Sequence, residues 1–175
     1  MVVPWRPSPD RQPAWDFLFH LWRREHSDWS LTTTDTDGEW CKGRVVANGV
    51  RSCGGDVLVI SDADVWCTEV GRAVDAVRAG AKWAVPHARI LRLTKDASEQ
   101  VMADGDWSPR GSLERPPHRA VSGGGMVVMR RDVFEACPMP VMGRREDEVW
   151  QTQLVPRFGR PWRGTADLFH LWHES

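Results

Sequence analysis

At 175 residues the chain has room for one domain with a real core, but not for two. Its 23 basic and 24 acidic residues leave a formal net charge of −1, which excludes the strong one-signed field of a nucleic-acid or anionic-membrane binder. No apolar run approaches the roughly 18 residues that span a bilayer, and residues 1–6 lack the charged head and apolar stretch of a signal peptide, so a soluble, cytoplasmic chain without a membrane span is expected.

In chain order, Val2-Val3-Pro4-Trp5 reads as a short first strand, and Pro7, Pro9 and Pro13 punctuate the loop after it. Over 14–25, Trp15, Leu18, Phe19 and Trp22 recur at three and four and predict a helix. Residues 30–34, β-branched after Ser30 and Leu31, predict a second strand, and 35–39 a polar turn. A helix follows over 42–50, with Val45, Val46, Gly49 and Val50 on or near one face. Gly54-Gly55 then breaks the chain, and the continuous aliphatic run of 56–60 suits a central strand buried on both faces. After Asp62-Ala63-Asp64 the pattern predicts a helix over 69–79 and a short strand at Trp83-Ala84-Val85.

Residues 94–120 are poor in aliphatic side chains and hold Gly105, Pro109, Gly111, Pro116 and Pro117; they read as a helix fragment plus a long mobile loop. Gly123-Gly124-Gly125 precedes a strand at 126–129, a helix begins near Asp132 with the aspartate as its cap, and a last helix covers 146–155. The chain ends with Leu168-Phe169 running into His170-Leu171-Trp172-His173. Strands alternating with helices predict one α/β domain, Rossmann-like, whose central, mostly parallel sheet is flanked by helices. Cys41, Cys53, Cys67 and Cys137 form no CxxC pair and read as reduced thiols. Eleven Trp against no Tyr exceed what a core of this size needs, so some are expected to line a groove that stacks on a sugar or a base.

Three clusters can carry chemistry. Asp62 and Asp64, one small residue apart, follow a fully apolar strand whose carboxyl end reaches the crevice where open α/β sheets bind ligands. Two carboxylates there repel each other unless a cation joins them, and oxygen ligands of this kind suit Mn²⁺ or Mg²⁺ bound together with substrate phosphates. A solvated acidic turn is the plain alternative. Glu146 and Asp147, at a helix start, can serve as a general base toward an acceptor hydroxyl, or simply favour the positive end of the helix dipole. His170 and His173 are candidate metal ligands, although a histidine pair alone is more often structural.

Taken in order, these pieces resemble the GT-A fold glycosyltransferases, in particular the family-two-like group and the galactosyltransferase and N-acetylgalactosaminyltransferase domains. The likeness runs through residues 3–6, 40–49, 61–64, 123–128, 145–148 and 170–173. It implies that Asp62-Ala63-Asp64 is a DxD motif, with Asp64 on the divalent ion, Asp62 on ribose or metal, and His170 (or else His173) completing the metal shell. It implies that Pro4, Trp5 and Arg6 contact the nucleoside, that Lys42 and Arg44 approach the base or diphosphate, and that Gly123, Gly124 and Gly125 lie against the donor sugar. It also implies that Glu146-Asp147 binds the acceptor, with Asp147 as the base of an inverting transfer from a nucleotide-diphosphate sugar, a UDP-sugar first. The acceptor stays open between protein, glycan, modified nucleobase and small molecule.

Two departures stand out. Gly143-Arg144-Arg145 occupies the place where the family often has Trp-Gly-Gly, which makes an anionic acceptor conceivable. The chain is also short for the family, so 94–120 is the candidate lid. A retaining transferase, a nucleotide-sugar binding module without turnover and a metal-dependent nucleotidyltransferase are the rival readings.

Overall fold

The computed structural model describes residues 1–108, 113, 118–119, 124–143 and 145–174. In chain order the elements are β1 (Val2–Pro4), α1 (Gln12–Glu25), β2 (Thr32–Thr34), α2 (Lys42–Ser52), β3 (Val57–Ser61), β4 (Val65–Trp66) and α3 (Val70–Arg78). They continue with β5 (Trp83–Arg92), α4 (Lys95–Asp104), β6 (His118–Arg119), β7 (Met126–Arg130), α5 (Arg131–Ala136), α6 (Glu146–Phe158) and β8 (Trp162–His170). The strands form one sheet in the order β2-β1-β3-β7-β5-β8-β4, with β6 added alongside β5.

The α/β architecture with a helix-flanked central sheet is as expected, but its pairing is mixed. β1, β2, β3, β5 and β8 run one way, while β4, β6 and β7 run against them. β7 sits antiparallel between β3 and β5 because the chain re-enters the sheet beside the end of β3. Ser61 pairs with Met126, and the Asp62 N–H donates to the Gly125 carbonyl at 2.8 Å. Gly125 makes that entry at φ 87°, and a Cβ there would stand 3.2 Å from Leu168, a left-handed close approach natural to glycine.

Continuous aliphatic runs make sense because each central strand buries both faces. Val3, Val59, Ala84 and Val128 face a core completed by α1 and α3, while Val2, Leu58, Ile60, Trp83, Val85, Val127 and Met129 face one completed by α2, α5 and α6. The tryptophan excess is spent largely there, on Trp5, Trp15, Trp22, Trp66, Trp83 and Trp150. Two of these indoles satisfy their N–H inside the core, Trp83 on the Gly159 carbonyl at 2.9 Å and Trp150 on that of Cys137 at 2.7 Å.

Four expectations change. β5 extends to Arg92, well past residue 85, because Pro86 interrupts its pattern without ending it and the register shifts on both sides of His87. Residues 162–170 form a nine-residue strand, whose small and polar side chains hid the alternation. The short β4 was not foreseen at all. Asp132 lies in the first turn of α5 but does not cap it; its carboxylate takes Arg130 at 2.7 Å and 2.9 Å instead. Within 94–120 the helix fragment is α4, closed by the Thr94 side chain at its start, whereas much of the lid expectation falls outside the described residues, as does Gly123. The four cysteines are free thiols, and no helix among the described residues is long and apolar enough to cross a membrane.

His87 is fully buried on β5. Burial, and then the nearby Arg163 charge, push its pKa down to about 4. The unfolded chain therefore takes up this proton near pH 6.5 while the folded protein refuses it until about pH 4, so stability falls as pH drops through that window. The full loss is about 3 kcal/mol, at roughly 1.4 kcal/mol per pH unit. Replacing His87→Phe should flatten the wild-type difference between urea midpoints at pH 5 and pH 7; an unchanged difference would show that the proton goes elsewhere.

Candidate active site

The carboxyl ends of β1, β3 and β8 meet at one edge of the sheet, which is where open α/β sheets place their ligands. β3 delivers Asp62-Ala63-Asp64 there, and β8 ends in His170. β4 then turns back against β8, pairing Val65 with His170, and the Leu171 N–H donates to the Asp64 carbonyl at 2.9 Å. This pairing brings residue 64 beside 170 and 173, although they are more than a hundred positions apart.

Asp64 is 4% exposed. Its Oδ2 accepts from Arg11 Nη2 at 2.7 Å and lies 3.1 Å from His173 Nε2. Its Oδ1 is buried with no hydrogen-bond partner and lies 3.7 Å from His170 Nε2, too far for a hydrogen bond. Burial alone would raise the Asp64 pKa, but the His173 hydrogen bond and the Arg11 charge outweigh it and hold the group ionised. Burial, then the Arg92 charge, lower His170 in spite of Asp64, which favours the neutral imidazole that ligates metals.

Donor atoms of Asp64, His170 and His173 all lie within 4.8 Å of one another. Two donors each roughly 2.1 Å from one ion stand about 3–4 Å apart, so the 3.7 Å gap between Oδ1 and His170 fits a shared cation, which would take the Nε2 lone pair now accepting from Arg92 Nη1 at 3.1 Å. His173 Nδ1 lies 2.8 Å from the Glu174 carbonyl; donating its proton there would leave Nε2 as the ligand, an arrangement common around bound metals. One carboxylate with two imidazoles suits Mn²⁺ better than Mg²⁺, which prefers oxygen throughout. Both histidines thus join the cluster, where the sequence left a choice between them.

Asp62 takes a different partner. Its Oδ1 accepts from Lys42 Nζ at 2.6 Å, and the same ammonium lies 3.2 Å from Asp147 Oδ2. Lys42 is 11% exposed at the start of α2; burial opposes its charge, yet the two carboxylates together raise its pKa. α2 reaches this position because Gly43 packs directly on the Pro140 carbonyl, where a Cβ would stand only 2.2 Å away. Asp147 lies in the first turn of α6, and burial, with Asp62 and Glu146 nearby, keeps its pKa raised despite Lys42. Arg145, just ahead of Glu146, holds a left-handed φ of 62°, a conformation that costs about 1 kcal/mol or more in a non-glycine residue.

The remaining sequence candidates are spread out. Pro4 closes β1. Trp5 is buried and stacked on Trp15 at 5.4 Å, with the Arg11 guanidinium over the Trp5 ring at 5.5 Å from its centroid. Arg6 lies over Trp40 and ties down the 35–38 turn through Asp35 and the carbonyls of Thr36 and Gly38. Arg44 is exposed on α2, Ala63 is buried between the two acids, and Gly124 and Gly125 lead into β7 beside Asp62. Arg11, absent from the sequence candidates, proves to be a direct partner of Asp64; no local pattern marks it, since the contact spans 53 positions.

This arrangement of sheet and helices is the GT-A fold, as its likeness to solved structures shows. No described protein family matches the sequence, and no curated protein does. Among solved structures, the chain is similar to the mannosyltransferase PcManGT from Pyrobaculum calidifontis in complex with GDP-Man and Mn²⁺, at 13% identity and a TM-score of 0.52, covering 97% of this chain and 55% of that one. It is also similar to GalNAc-T7 with UDP, GalNAc and Mn²⁺, at 10% identity and a TM-score of 0.55, covering 99% of this chain and 37% of that one. The chain therefore spans about half, or less, of the length of these neighbours.

If Asp64, His170 and His173 hold a divalent ion, saturating Mn²⁺ should stabilise the protein by about 3 kcal/mol at a hundredfold excess over Kd, or roughly 5–10 °C in Tm. Differential scanning fluorimetry should show the shift in wild type, its reversal by EDTA, and its loss in His173→Ala and Asp64→Asn.

Proposed function

We propose that this protein is a metal-dependent glycosyltransferase that moves a sugar from a nucleotide-diphosphate sugar to an acceptor hydroxyl. The observation that carries the reading is the buried Asp64 carboxylate, with an unpartnered Oδ1, facing two imidazoles at the carboxyl end of β3. A divalent ion bound there would act as a Lewis acid on the diphosphate as it departs. The GT-A fold supports this use of the crevice.

The donor is a UDP-sugar on the sequence resemblance; the GDP-Man and the UDP with GalNAc bound by the two structural neighbours keep both nucleotides in the test panel. Pro4, Trp5 and Arg6 border the nucleoside end, Asp62 and Lys42 the diphosphate and ribose, and Gly124-Gly125 the donor sugar. Asp147 accepts the proton of the incoming hydroxyl on the face opposite the leaving group, which gives inversion. A raised pKa helps a carboxylate in that work, and the Lys42 ammonium orients it. Glu146, beside it at the start of α6, contributes to the acceptor side.

One observation favours a second reading. Asp147 is held by Lys42 at 3.2 Å, and a base tied to a buried cation suits a nucleotide-sugar binding module that does not turn over. Nucleoside diphosphate release from UDP- and GDP-sugars with Mn²⁺, measured over a broad acceptor panel, separates the two. A transferase should lose about hundredfold or more in rate with Asp64→Asn and about 10²–10⁴-fold with Asp147→Asn, while Asp147→Asn keeps donor affinity. Binding without release from any donor would establish the module instead. The anomeric configuration of the product distinguishes inversion from retention, and release of pyrophosphate from a nucleoside triphosphate would mark a nucleotidyltransferase.

A further inference from the structure

Arg11 occupies a position that helix energetics does not explain. It is the N-cap of α1, where its side chain makes no capping hydrogen bond and the first turn carries no acidic residue. A cation at that end opposes the helix dipole. What holds the guanidinium is Asp64 Oδ2 at 2.7 Å and the Trp5 ring at 5.5 Å. Its Nε–H is buried and has no acceptor, which is costly for a charged donor. The fork is thus half used: one arm rests on the carboxylate of the metal cluster, and the Nε edge lacks an anion.

Resting on the transferase reading above, we propose that Arg11 and the divalent cation compete for Asp64, and that Arg11 is a ligand for the donor's diphosphate. Asp64 Oδ2 already serves Arg11 at 2.7 Å and His173 at 3.1 Å. A divalent ion drawing on that carboxylate weakens the hold on the guanidinium. A diphosphate arriving with the ion supplies the planar pair of oxygens that an arginine fork binds best, and it gives Nε–H the acceptor it lacks. Arg11 therefore opposes binding of the bare metal and favours binding of metal with nucleotide, making the two ligands cooperative.

The two halves of the proposal have opposite signs, so a merely structural role cannot imitate them. Wild type, Arg11→Gln and Arg11→Lys are compared for Mn²⁺ affinity without nucleotide, by electron paramagnetic resonance of the free ion, and for UDP and GDP affinity at saturating Mn²⁺, by calorimetry. Arg11→Gln should bind Mn²⁺ roughly tenfold tighter and the nucleoside diphosphate roughly tenfold weaker, the scale of one charge-assisted hydrogen bond. Arg11→Lys, which keeps the charge without the fork, should leave Mn²⁺ affinity near wild type and still weaken the nucleotide. Unchanged or weaker Mn²⁺ binding in Arg11→Gln overturns the proposal, as does unchanged nucleotide affinity in Arg11→Lys, the arm that decides if Arg11→Gln fails to fold. Wild type that takes up no Mn²⁺ with or without nucleoside diphosphate would overturn both this proposal and the transferase reading, whereas uptake by wild type with no gain in Arg11→Gln overturns this one alone.

Discussion

A carboxylate taken out of water has to be answered by positive charge or by a cation, and Asp64 is that carboxylate. Desolvating an ion costs several kcal/mol that only close, well-directed partners recover. Arg11 arrives from the start of α1, His170 from the end of β8, and His173 from the segment after it. Three distant parts of the chain are thereby fastened to the end of β3. The fold around this point can be understood as the scaffold that keeps those groups in reach of one another.

The sheet achieves this by direction more than by pairing. β1, β3 and β8 all end at the same edge, although β7 and β5 stand between β3 and β8 and β7 runs the opposite way. Inserting one antiparallel strand does not move the carboxyl ends of the others. It does bring the Gly124-Gly125 backbone to the turn that follows β3, where the Gly125 carbonyl fixes the Asp62 amide. The two buried faces then divide the work. The α1 side carries Arg11 to Asp64, and the α2 and α6 side carries Lys42 and Asp147 to Asp62. Neighbouring acids of one short motif therefore take their partners from opposite sides of the sheet.

Much of this was legible because it depends on local pattern. The aliphatic run at 56–60 announced a strand buried on both faces and that at 126–129 a strand; apolar spacing marked α1 and α2, and helices were expected where α3 and α6 stand. The acidic motif and the late histidines were visible as residue types at suggestive places. Strands β4 and β8 were not, because a two-residue strand has no period, and Arg163, Gly164, Thr165 and Ala166 hide alternation behind small and polar side chains. Pro86 similarly disguised the length of β5, whose register shifts accommodate it. The role of Arg11 could not be read at all, since nothing within its own neighbourhood calls for a cation there. Lys42 was singled out as a basic residue, but its attachment to two acids is a property of three elements meeting.

That attachment has a consequence for how such a chain can diverge. One ammonium neutralises a carboxylate from the β3 turn and another from the first turn of α6, so neither acid is free to drift alone. Loss of either would leave Lys42 with half its compensation in a poorly hydrated place, and loss of Lys42 would set two acids against each other. Residues 42, 62 and 147 are thus expected to change as a trio across descendants of this sequence, while the exposed surface of α6 beyond its first turn is free to vary without them.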